Sequence, residues 1–358
     1  MKKLTILAAA ALALAMTGAG ALAETTLQLG TTVNEQDSFQ VAAEKFAELV
    51  EERTNGEYKI EIYPNGTLGG ESDMLDSMST GMLDMGIITS GPFVNFSEAM
   101  GVLDMPYLFA NNEEAYKVFD GEIGRELLDS LEDAGLKGLA YAERGFRNVT
   151  NSVRPVNNAD DLAGLKLRVM ENEVYTATFK ALKVNAVPMA WAEALTAMQQ
   201  GTIEGQENPP STLLANGWYE VQDYLAMTNH QIAMNFVLFN EDFYNSMSAE
   251  DQAVVDEACE AFVQKQLELF LQAMVDDVET LQEYGLEVTY PDREEMKAAG
   301  SGVIDEYREE YPEFDDIMTK IEVLQEEYRA NSADTADTAG AAADAADAGT
   351  AETADAAA

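Results

Sequence analysis

Cysteine and histidine are almost missing from this sequence of 358 residues: each occurs once, as Cys259 and His230. A single cysteine has no intramolecular partner, so a disulfide scaffold is excluded. The neighbouring apolar residues Val255, Phe262 and Val263 recur at helical spacing, which predicts that Cys259 lies on the buried face of a helix. One histidine and one buried thiol leave neither a Ser-His-Asp relay nor a Cys-His pair with a complete set of parts.

Metal and nucleotide motifs are missing as well. The sequence contains no HExxH, no clustered Cys and His, no GxGxxG and no GxxxxGK[ST]. We therefore expect no metal and no cofactor. Paired carboxylates can hydrolyse glycosidic bonds, but with 65 acidic side chains no particular pair is informative.

Basic residues are scarce, since 21 Lys and Arg face 65 Asp and Glu and give a formal net charge of −44 at pH 7. A protein with so much negative charge repels phosphate backbones and anionic lipids. We therefore expect neither nucleic acid nor an anionic membrane surface as a partner. A saline habitat, where screening relieves self-repulsion, is another origin for this acidity.

The two ends differ from the rest of the chain. Residues 1–23 combine two lysines, an apolar run and a small-x-small ending, a pattern typical of a secretory signal peptide cleaved after Ala23. Residues 331–358 have almost nothing to bury, which predicts a disordered acidic tail or else a weak alanine-rich helix. No later stretch is apolar for long enough to span a bilayer. About 305 residues remain, which favours two lobes over one.

Strand-like and helix-like segments alternate along this body. The stretch "TTLQLGTTV" predicts a strand, and the apolar spacing from Phe39 to Val50 predicts a helix capped by Asp37 or Ser38. Further strands are predicted over "YKIEIYP", "LDMGIITS", "LKGLAYAE" and "GLKLRVM", with helices between them such as "WAEALTAMQQG". Alternation of this kind predicts an α/β fold in which helices cover both faces of parallel-rich sheets.

One helical pattern is unusually long. It begins at Ser248, with Asp251 as a capping partner, and continues without proline to Gly285. About 36 helical residues would reach roughly 55 Å, more than one small lobe needs. The pattern therefore predicts a helix that either bends or crosses from one lobe to the other.

Positive charge is concentrated in one segment of this acidic chain. Five basic residues fall between positions 144 and 168: Arg144, Arg147, Arg154, Lys166 and Arg168. Strand alternation in "GLKLRVM" puts Leu165, Leu167 and Val169 on the core face and points Arg168 away from them. An arginine fork meets a carboxylate with two parallel hydrogen bonds. Arg168 is thus a candidate for binding an anionic ligand, and an internal salt bridge with one of the many acids is the alternative.

The stretches "GLKLRVMEN", "VPMAWAEALTAMQQGTIEGQENP" and "FAELVEERTNGEYKIEIYPNGTLGGESDM" resemble the DctP-type solute-binding proteins of TRAP (tripartite ATP-independent periplasmic) transporters. The resemblance covers roughly residues 26–328. It implies a periplasmic-binding-protein-like fold, with two α/β lobes, a ligand cleft between them and a long helix spanning both. We expect lobe I to comprise residues 24–145 and 234–273, and lobe II residues 146–233 and 274–330.

The resemblance also implies which side chains meet the ligand. Arg168, in the "LKxRV" position, would bind a carboxylate, with Asn208 of "GQENP" in support and Arg147 as a second arginine. Trp191 would pack over the ligand. Two of these residues have structural alternatives, because Asn208 precedes two prolines and could shape a turn, while Trp191 could belong only to the core.

Lobe I would recognise the rest of the solute. Glu71, Thr89 and Ser90 match family positions that face the ligand, although Glu71 could instead stabilise a helix start through the helix dipole. The weaker candidates are Thr32, Glu171 and Asn235.

The function implied is capture of a small organic acid and its delivery to the membrane subunits of a TRAP transporter, by a protein expected to be monomeric and periplasmic. A C4-dicarboxylate and a sugar acid such as a uronate both fit, and Glu71 together with the hydroxyl groups of Thr89 and Ser90 favours a hydroxylated ligand. The alternatives are a binding protein of an ATP-driven importer, a carbohydrate-active enzyme, or a structural surface protein.

Overall fold

A nine-stranded mixed β-sheet forms the centre of the computed structural model, which describes residues 24–274 and 276–330. The strands in this part of the chain are β1 Thr25–Thr31, β2 Tyr58–Tyr63, β3 Met85–Thr89, β4 Leu136–Asn151, β5 Lys166–Val169, β6 Asn185–Pro188, β7 Gly205–Asn208, β8 Tyr224–Asn240 and β9 Glu287–Thr289. They lie in the order β2-β1-β3-β8-β4-β7-β5-β6, and β9 pairs with β8. The predicted signal peptide and acidic tail, residues 1–23 and 331–358, lie outside the described residues.

Helices cover both faces of the sheet, which confirms the predicted α/β class. Over the described residues they are α1 Ser38–Arg53, α2 Glu71–Ser79, α3 Asn112–Phe119, α4 Glu122–Asp129, α5 Glu173–Ala181, α6 Trp191–Gln199, α7 Pro210–Ala215, α8 Glu241–Ser246, α9 Ala249–Met274, α10 Asp277–Glu283, α11 Arg293–Gly300, α12 Gly302–Glu310 and α13, residues 312–330. The predicted first helix begins where the sequence placed it, since the Asp37 side chain accepts a hydrogen bond from the Phe39 amide. No helix among the described residues combines the length and apolarity needed to cross a membrane.

Two long antiparallel strands join the two halves of the sheet. β4 and β8 pair from Leu136 opposite Asn240 to Asn151 opposite Tyr224, with three irregularities in register. The sequence predicted a strand only over residues 136–143, but β4 continues for eight residues more. Its arginine-rich second half stays extended because β8 supplies backbone partners there, a pairing that local sequence does not reveal.

The parallel-rich prediction holds at the two edges of the sheet. β1 pairs in parallel with β2 and β3, and β5 pairs in parallel with β6 and β7. The centre is antiparallel, because β8 runs against both β3 and β4, and β4 runs against β7. The strands therefore form one continuous mixed sheet, whereas the sequence pattern predicted parallel-rich sheets.

The predicted long helix is two helices. α9 ends at Met274 and α10 begins at Asp277, with Asp276 in a turn. The 26 residues of α9 extend about 39 Å at 1.5 Å each. This helix packs against α1 and β4 and also contacts α7, so it reaches elements of both predicted lobes. Cys259 lies on its buried face, as predicted, and burial raises the pKa of the thiol.

Each half of the sheet has its own apolar cores. Helix α1 and α9 bury Phe39, Phe46 and Phe262 against β1 and β3 on one side of the first half. In the second half, Leu165, Leu167 and Val169 are buried together, which confirms their predicted core face. The lobe boundaries predicted at residues 145/146 and 233/234 fall opposite each other in the sheet, where Gly145 pairs with Ala233. These boundaries stay a prediction.

Candidate functional site

A small cavity lies where the carboxyl ends of four strands meet. Thr32 follows β1, Thr89 ends β3, Met170 follows β5 and Asn208 ends β7. Ligands of α/β proteins bind outside the carboxyl ends of strands, so the topology alone makes this cavity the candidate site. Its volume is about 30 Å³, and it is lined by Thr32, Val33, Glu71, Thr89, Arg144, Arg147, Arg168, Met170, Trp191, Asn208, Thr212 and Asn216.

Arg168 is the central cation of this cavity. It is only 4% exposed, and its Nε donates to the carbonyl oxygen of Met189 at 2.8 Å. Among the described residues, no carboxylate lies within 4.0 Å of the guanidinium and no acceptor bonds Nη1 or Nη2. The internal salt bridge considered as the alternative for Arg168 is therefore not found in the described part of the chain.

Burial makes the charge of Arg168 costly. It lowers the pKa of the guanidinium to about 10, with Glu207 and Glu71 opposing the shift and Arg147 adding to it. A buried cation without an ion-pair partner needs compensation from an incoming anion. The geometry thus suits a ligand carboxylate that approaches the two terminal nitrogens.

Arg147 lines the same cavity, but its charge is already matched. Its Nε and Nη2 donate to the two carboxylate oxygens of Glu207 at 2.5 and 2.9 Å, and Nη2 also donates to the Glu207 carbonyl. Burial alone would raise the pKa of Glu207, but Arg147 and the hydrogen bond from His230 outweigh it and lower the pKa to about 2. His230 contacts Glu207 at 3.1 Å and Thr228 at 2.9 Å, so both of its ring nitrogens bond within the protein.

Asn208 and Trp191 both lie in the lining. The Asn208 Nδ2 donates to Gln206 at 2.6 Å, which fixes the amide plane. Trp191 opens helix α6, and its ring stacks on Trp218 with centroids 4.4 Å apart. The buried Trp218 supports one side of this stack, while Trp191 also borders the cavity. The cavity role and the core role predicted for Trp191 are therefore compatible.

Glu71 lies on the wall formed by β1 and β3. It is the first residue of helix α2, and its carboxylate accepts hydrogen bonds from the Thr32 hydroxyl at 3.3 Å, the Thr89 amide at 3.2 Å and the Thr89 hydroxyl at 2.6 Å. These three donors hold the carboxylate at the cavity. Glu71 therefore both starts a helix and lines the cavity, so the two roles predicted for it are compatible.

Three predicted residues are not in the lining. The Ser90 hydroxyl donates to the buried Asp104 at 2.5 Å, because the chain turns the side chain after Thr89 away from the cavity. Asn235 is buried within β8, opposite Thr89, and its Oδ1 has no partner among the described residues. Glu171 is exposed beside a separate groove of about 860 Å³.

Arg144 is a lining residue that the site prediction omitted. Its Nη2 donates to Asp37 at 2.9 Å and its Nε to the Thr212 hydroxyl at 3.2 Å, while its buried Nη1 has no partner among the described residues. Its only signal in the sequence was membership of the basic segment. Within residues 24–274 and 276–330, no group of three or more His, Cys, Asp or Glu side chains is placed to hold a metal ion.

Comparisons with known proteins agree with this geometry. The family described as "DctP: Bacterial extracellular solute-binding protein, family 7" matches residues 29–310. The chain is similar to the 2,3-diketo-L-gulonate-binding periplasmic protein YiaO of Escherichia coli (strain K12), at 36% identity over 87% of this chain and 96% of that protein.

Solved structures give the same result. A TRAP periplasmic solute-binding protein from Polaromonas sp. JS666 bound to D-erythronate has a TM-score of 0.80 and 33% identity, covering 83% of this chain and 98% of that chain. A second, from Anaerococcus prevotii DSM 20548 with bound D-glucuronate, has a TM-score of 0.82 and 28% identity, covering 85% of this chain and 99% of that chain. The two-lobed fold implied by the motifs is thereby confirmed, and the chain belongs to the DctP family, family 7 of the bacterial extracellular solute-binding proteins.

Proposed function

We propose that this protein is the periplasmic solute-binding protein of a TRAP transporter and that it captures a sugar acid through Arg168. The observation that carries the proposal is the state of that side chain. Arg168 is buried at the candidate cavity, its Nε is fixed by Met189, and no described carboxylate neutralises it. A ligand carboxylate would accept from the two terminal nitrogens and supply the missing charge.

Two neighbours support the carboxylate contact. Asn208 borders the cavity, and its Nδ2 donates one hydrogen to Gln206, so the amide plane is fixed and the second hydrogen of Nδ2 can be donated to a ligand carboxylate. Arg147 adds positive potential, although Glu207 balances most of it. Inside a narrow cavity with little water, such fixed charges act far more strongly than they do at the surface.

The opposite wall fits the hydroxylated part of a sugar acid. Glu71 is an acceptor for ligand hydroxyl groups, and the Thr32 and Thr89 hydroxyls lie beside it. The Trp191 ring supplies an apolar surface for the carbon skeleton. The sugar acids named with the two solved relatives, D-erythronate and D-glucuronate, support this class of ligand.

The protein would bind the acid without converting it and deliver it to the membrane subunits of the transporter. Lobes I and II, with boundaries at 145/146, 233/234 and 273/274, would close on the ligand, since a ligand that contacts both walls favours the closed population. The space of about 30 Å³ at Arg168 suits a carboxylate group rather than a whole sugar acid, so the two walls must lie farther apart when the acid is bound. We expect a monomer, exported by a signal peptide that is removed after Ala23.

A thermal-shift screen over organic acids, followed by calorimetry, tests this function. Arg168→Ala should weaken binding of the best acid by about 2 to 5 kcal/mol, as expected when one side of a buried charge contact is truncated. Arg154→Ala is the matched control, because Arg154 belongs to the same basic segment but donates to the carbonyl oxygens of Asp161 and Ala163 outside the cavity. Undiminished affinity in the Arg168 variant would refute the assignment.

A further inference from the structure

The charges around the cavity are almost all paired. The lining contains four ionisable side chains: Glu71, Arg144, Arg147 and Arg168. Arg144 is matched by Asp37 at 2.9 Å and Arg147 by Glu207 at 2.5 Å. Within the described chain, this leaves one cation and one anion of the lining without an ion pair, Arg168 on one wall and Glu71 on the other.

Glu71 is held in place without being neutralised. Its three hydrogen-bond partners, from Thr32 and Thr89, are neutral donors, and no lysine or arginine of the described residues lies within 4.0 Å of its carboxylate. Its charge still reaches Arg168 electrostatically, because it opposes the effect of burial on that guanidinium. The two unpaired charges therefore act within one small cavity.

We infer that Glu71 makes the site selective for acids with a single carboxylate and a hydroxyl group at the far end, and that it rejects dicarboxylates. This inference rests on the proposed function, since it assumes that the ligand carboxylate binds Arg168. A distal hydroxyl donates to the Glu71 carboxylate, whereas a second carboxylate offers no donor and brings a like charge. Arg168, the lining cation without an ion pair among the described residues, would already hold the first carboxylate. Like charges placed together at a binding interface cost several kcal/mol.

The balance of charge supports the same selectivity. The three arginines of the lining are offset by Asp37, Glu207 and Glu71, so the cavity and its immediate partners carry no net charge. Arg144 is the remaining cation that could meet a second carboxylate, through the Nη1 that bonds no described residue. Asp37 already matches its charge, so that contact would not offset repulsion from Glu71.

Two matched pairs of ligands test the inference: galactonate against galactarate, and glucuronate against glucarate. At the end that distinguishes each pair, the first acid has a hydroxyl group, which in glucuronate is the anomeric hydroxyl of the ring form, and the second acid has a carboxylate. Calorimetry on the wild-type protein should give at least about tenfold tighter binding of the monocarboxylate. Glu71→Gln keeps the size and one oxygen that can accept from the Thr32 hydroxyl and the Thr89 amide, but it removes the charge. It should bring the two affinities within about threefold by the same reasoning.

Two control variants separate charge at the cavity from other effects. Asp73→Asn removes a negative charge from the same helix, where Asp73 bonds the Gly70 amide outside the cavity, and it should leave the preference unchanged. Thr89→Val removes a donor to Glu71 while keeping the carboxylate, so it should retain the sign of the preference.

Several outcomes would overturn the inference. Equal binding of both members of a pair by the wild-type protein would do so, as would a preference that survives Glu71→Gln. Tight binding of galactarate or succinate that is lost in Arg144→Gln would show that Arg144 receives a second carboxylate. If the folded wild-type protein bound none of these acids, the proposed function itself would fail and the inference with it; binding without selectivity would remove the inference alone.

Discussion

Arg147 and Glu207 form a bidentate ion pair inside the protein, with the arginine Nε and Nη2 2.5 and 2.9 Å from the two carboxylate oxygens. Both side chains are at most 2% exposed. The family resemblance implies that Arg147 meets the ligand, and it does line the cavity, but its charge is matched within the chain. This pairing leaves Arg168 as the lining arginine with no ion partner among the described residues.

Removing the charge of Glu207 should destabilise the protein strongly. Glu207→Gln leaves Arg147 buried without a counter-ion, a change that typically costs about 3 to 5 kcal/mol. Urea unfolding of the wild-type and variant proteins measures this difference. The double variant Arg147→Met with Glu207→Gln should be less destabilised than Glu207→Gln alone, because the uncompensated cation is gone. A single variant within 1 kcal/mol of wild type, roughly the value of an exposed pair, would contradict the argument.

The fold was predictable where the signal was local. Helix α1 carries its own cap and apolar spacing, and the core face of β5 follows from alternation alone. The length of β4 was not predictable, because its second half is arginine-rich and becomes a strand only by pairing with β8, about 80 residues later. The turn at Asp276 was missed too, since neither proline nor glycine marks it.

The motifs predicted those site residues whose place along a strand they determine. Alternation points Arg168 away from the core but leaves a ligand or an internal acid as its partner, and the resemblance supplied its ligand role together with six further lining residues. Neighbouring residues were harder: Thr89 borders the cavity whereas Ser90 bonds Asp104, because β3 ends at Thr89 and the chain enters a 3-10 turn at Ser90. Arg144 and Glu207 were missed since their roles depend on partners 107 and 60 positions away.

Asp104 should make stability depend on pH. This side chain is 2% exposed and accepts hydrogen bonds from Ser90, Asn172 and Gln231, yet burial raises its pKa from 3.8 to about 7. Between these values the folded state retains a proton that the unfolded chain releases. Its contribution to stability is therefore fully present below pH 3.8 and is lost as the pH rises to 7.

The variant Asp104→Asn isolates this effect. As the pH rises from 4 to 7, the free energy of unfolding of the wild-type protein should fall relative to that of the variant by up to about 4 kcal/mol, at 1.36 kcal/mol per pKa unit. Urea unfolding at several pH values gives this difference. Asp133→Asn, at an exposed carboxylate, is the control and should follow the wild-type curve. Parallel curves for wild type and Asp104→Asn would show that Asp104 does not retain a proton.

Ligand binding should be visible in the fluorescence of one tryptophan. Trp191 and Trp218 are the only two in the chain, and only Trp191 lines the cavity. In Trp218→Phe, addition of galactonate or glucuronate should therefore change the emission, whereas Trp191→Phe should respond little because Trp218 is buried behind the stack. Trp191→Ala should weaken binding about 2- to 10-fold, corresponding to an aromatic contact of 0.5 to 1.5 kcal/mol. A response carried by Trp218 would place the ligand elsewhere.

The buried charge of Arg168 should lower the stability of the protein when no ligand is bound. Burial lowers its pKa from 12.5 to about 10, which disfavours the charged form by roughly 3 kcal/mol at 1.36 kcal/mol per pKa unit. Arg168→Met keeps much of the volume and removes the charge. Against this gain stands the lost hydrogen bond to Met189, worth about 1 kcal/mol.

We therefore expect Arg168→Met to unfold at a higher temperature than the wild-type protein when no ligand is present, by a few degrees, and to lose affinity for the acid. Thermal unfolding with and without ligand measures both effects in one experiment, since added acid should stabilise only the wild type. Arg147→Met is the contrasting variant. It leaves the buried Glu207 carboxylate without its ion-pair partner, so it should lower the unfolding temperature. If Arg168→Met were instead less stable than the wild-type protein, Arg168 would stabilise the fold. Its burial would then have a structural reason, and ligand binding would not be needed to explain it.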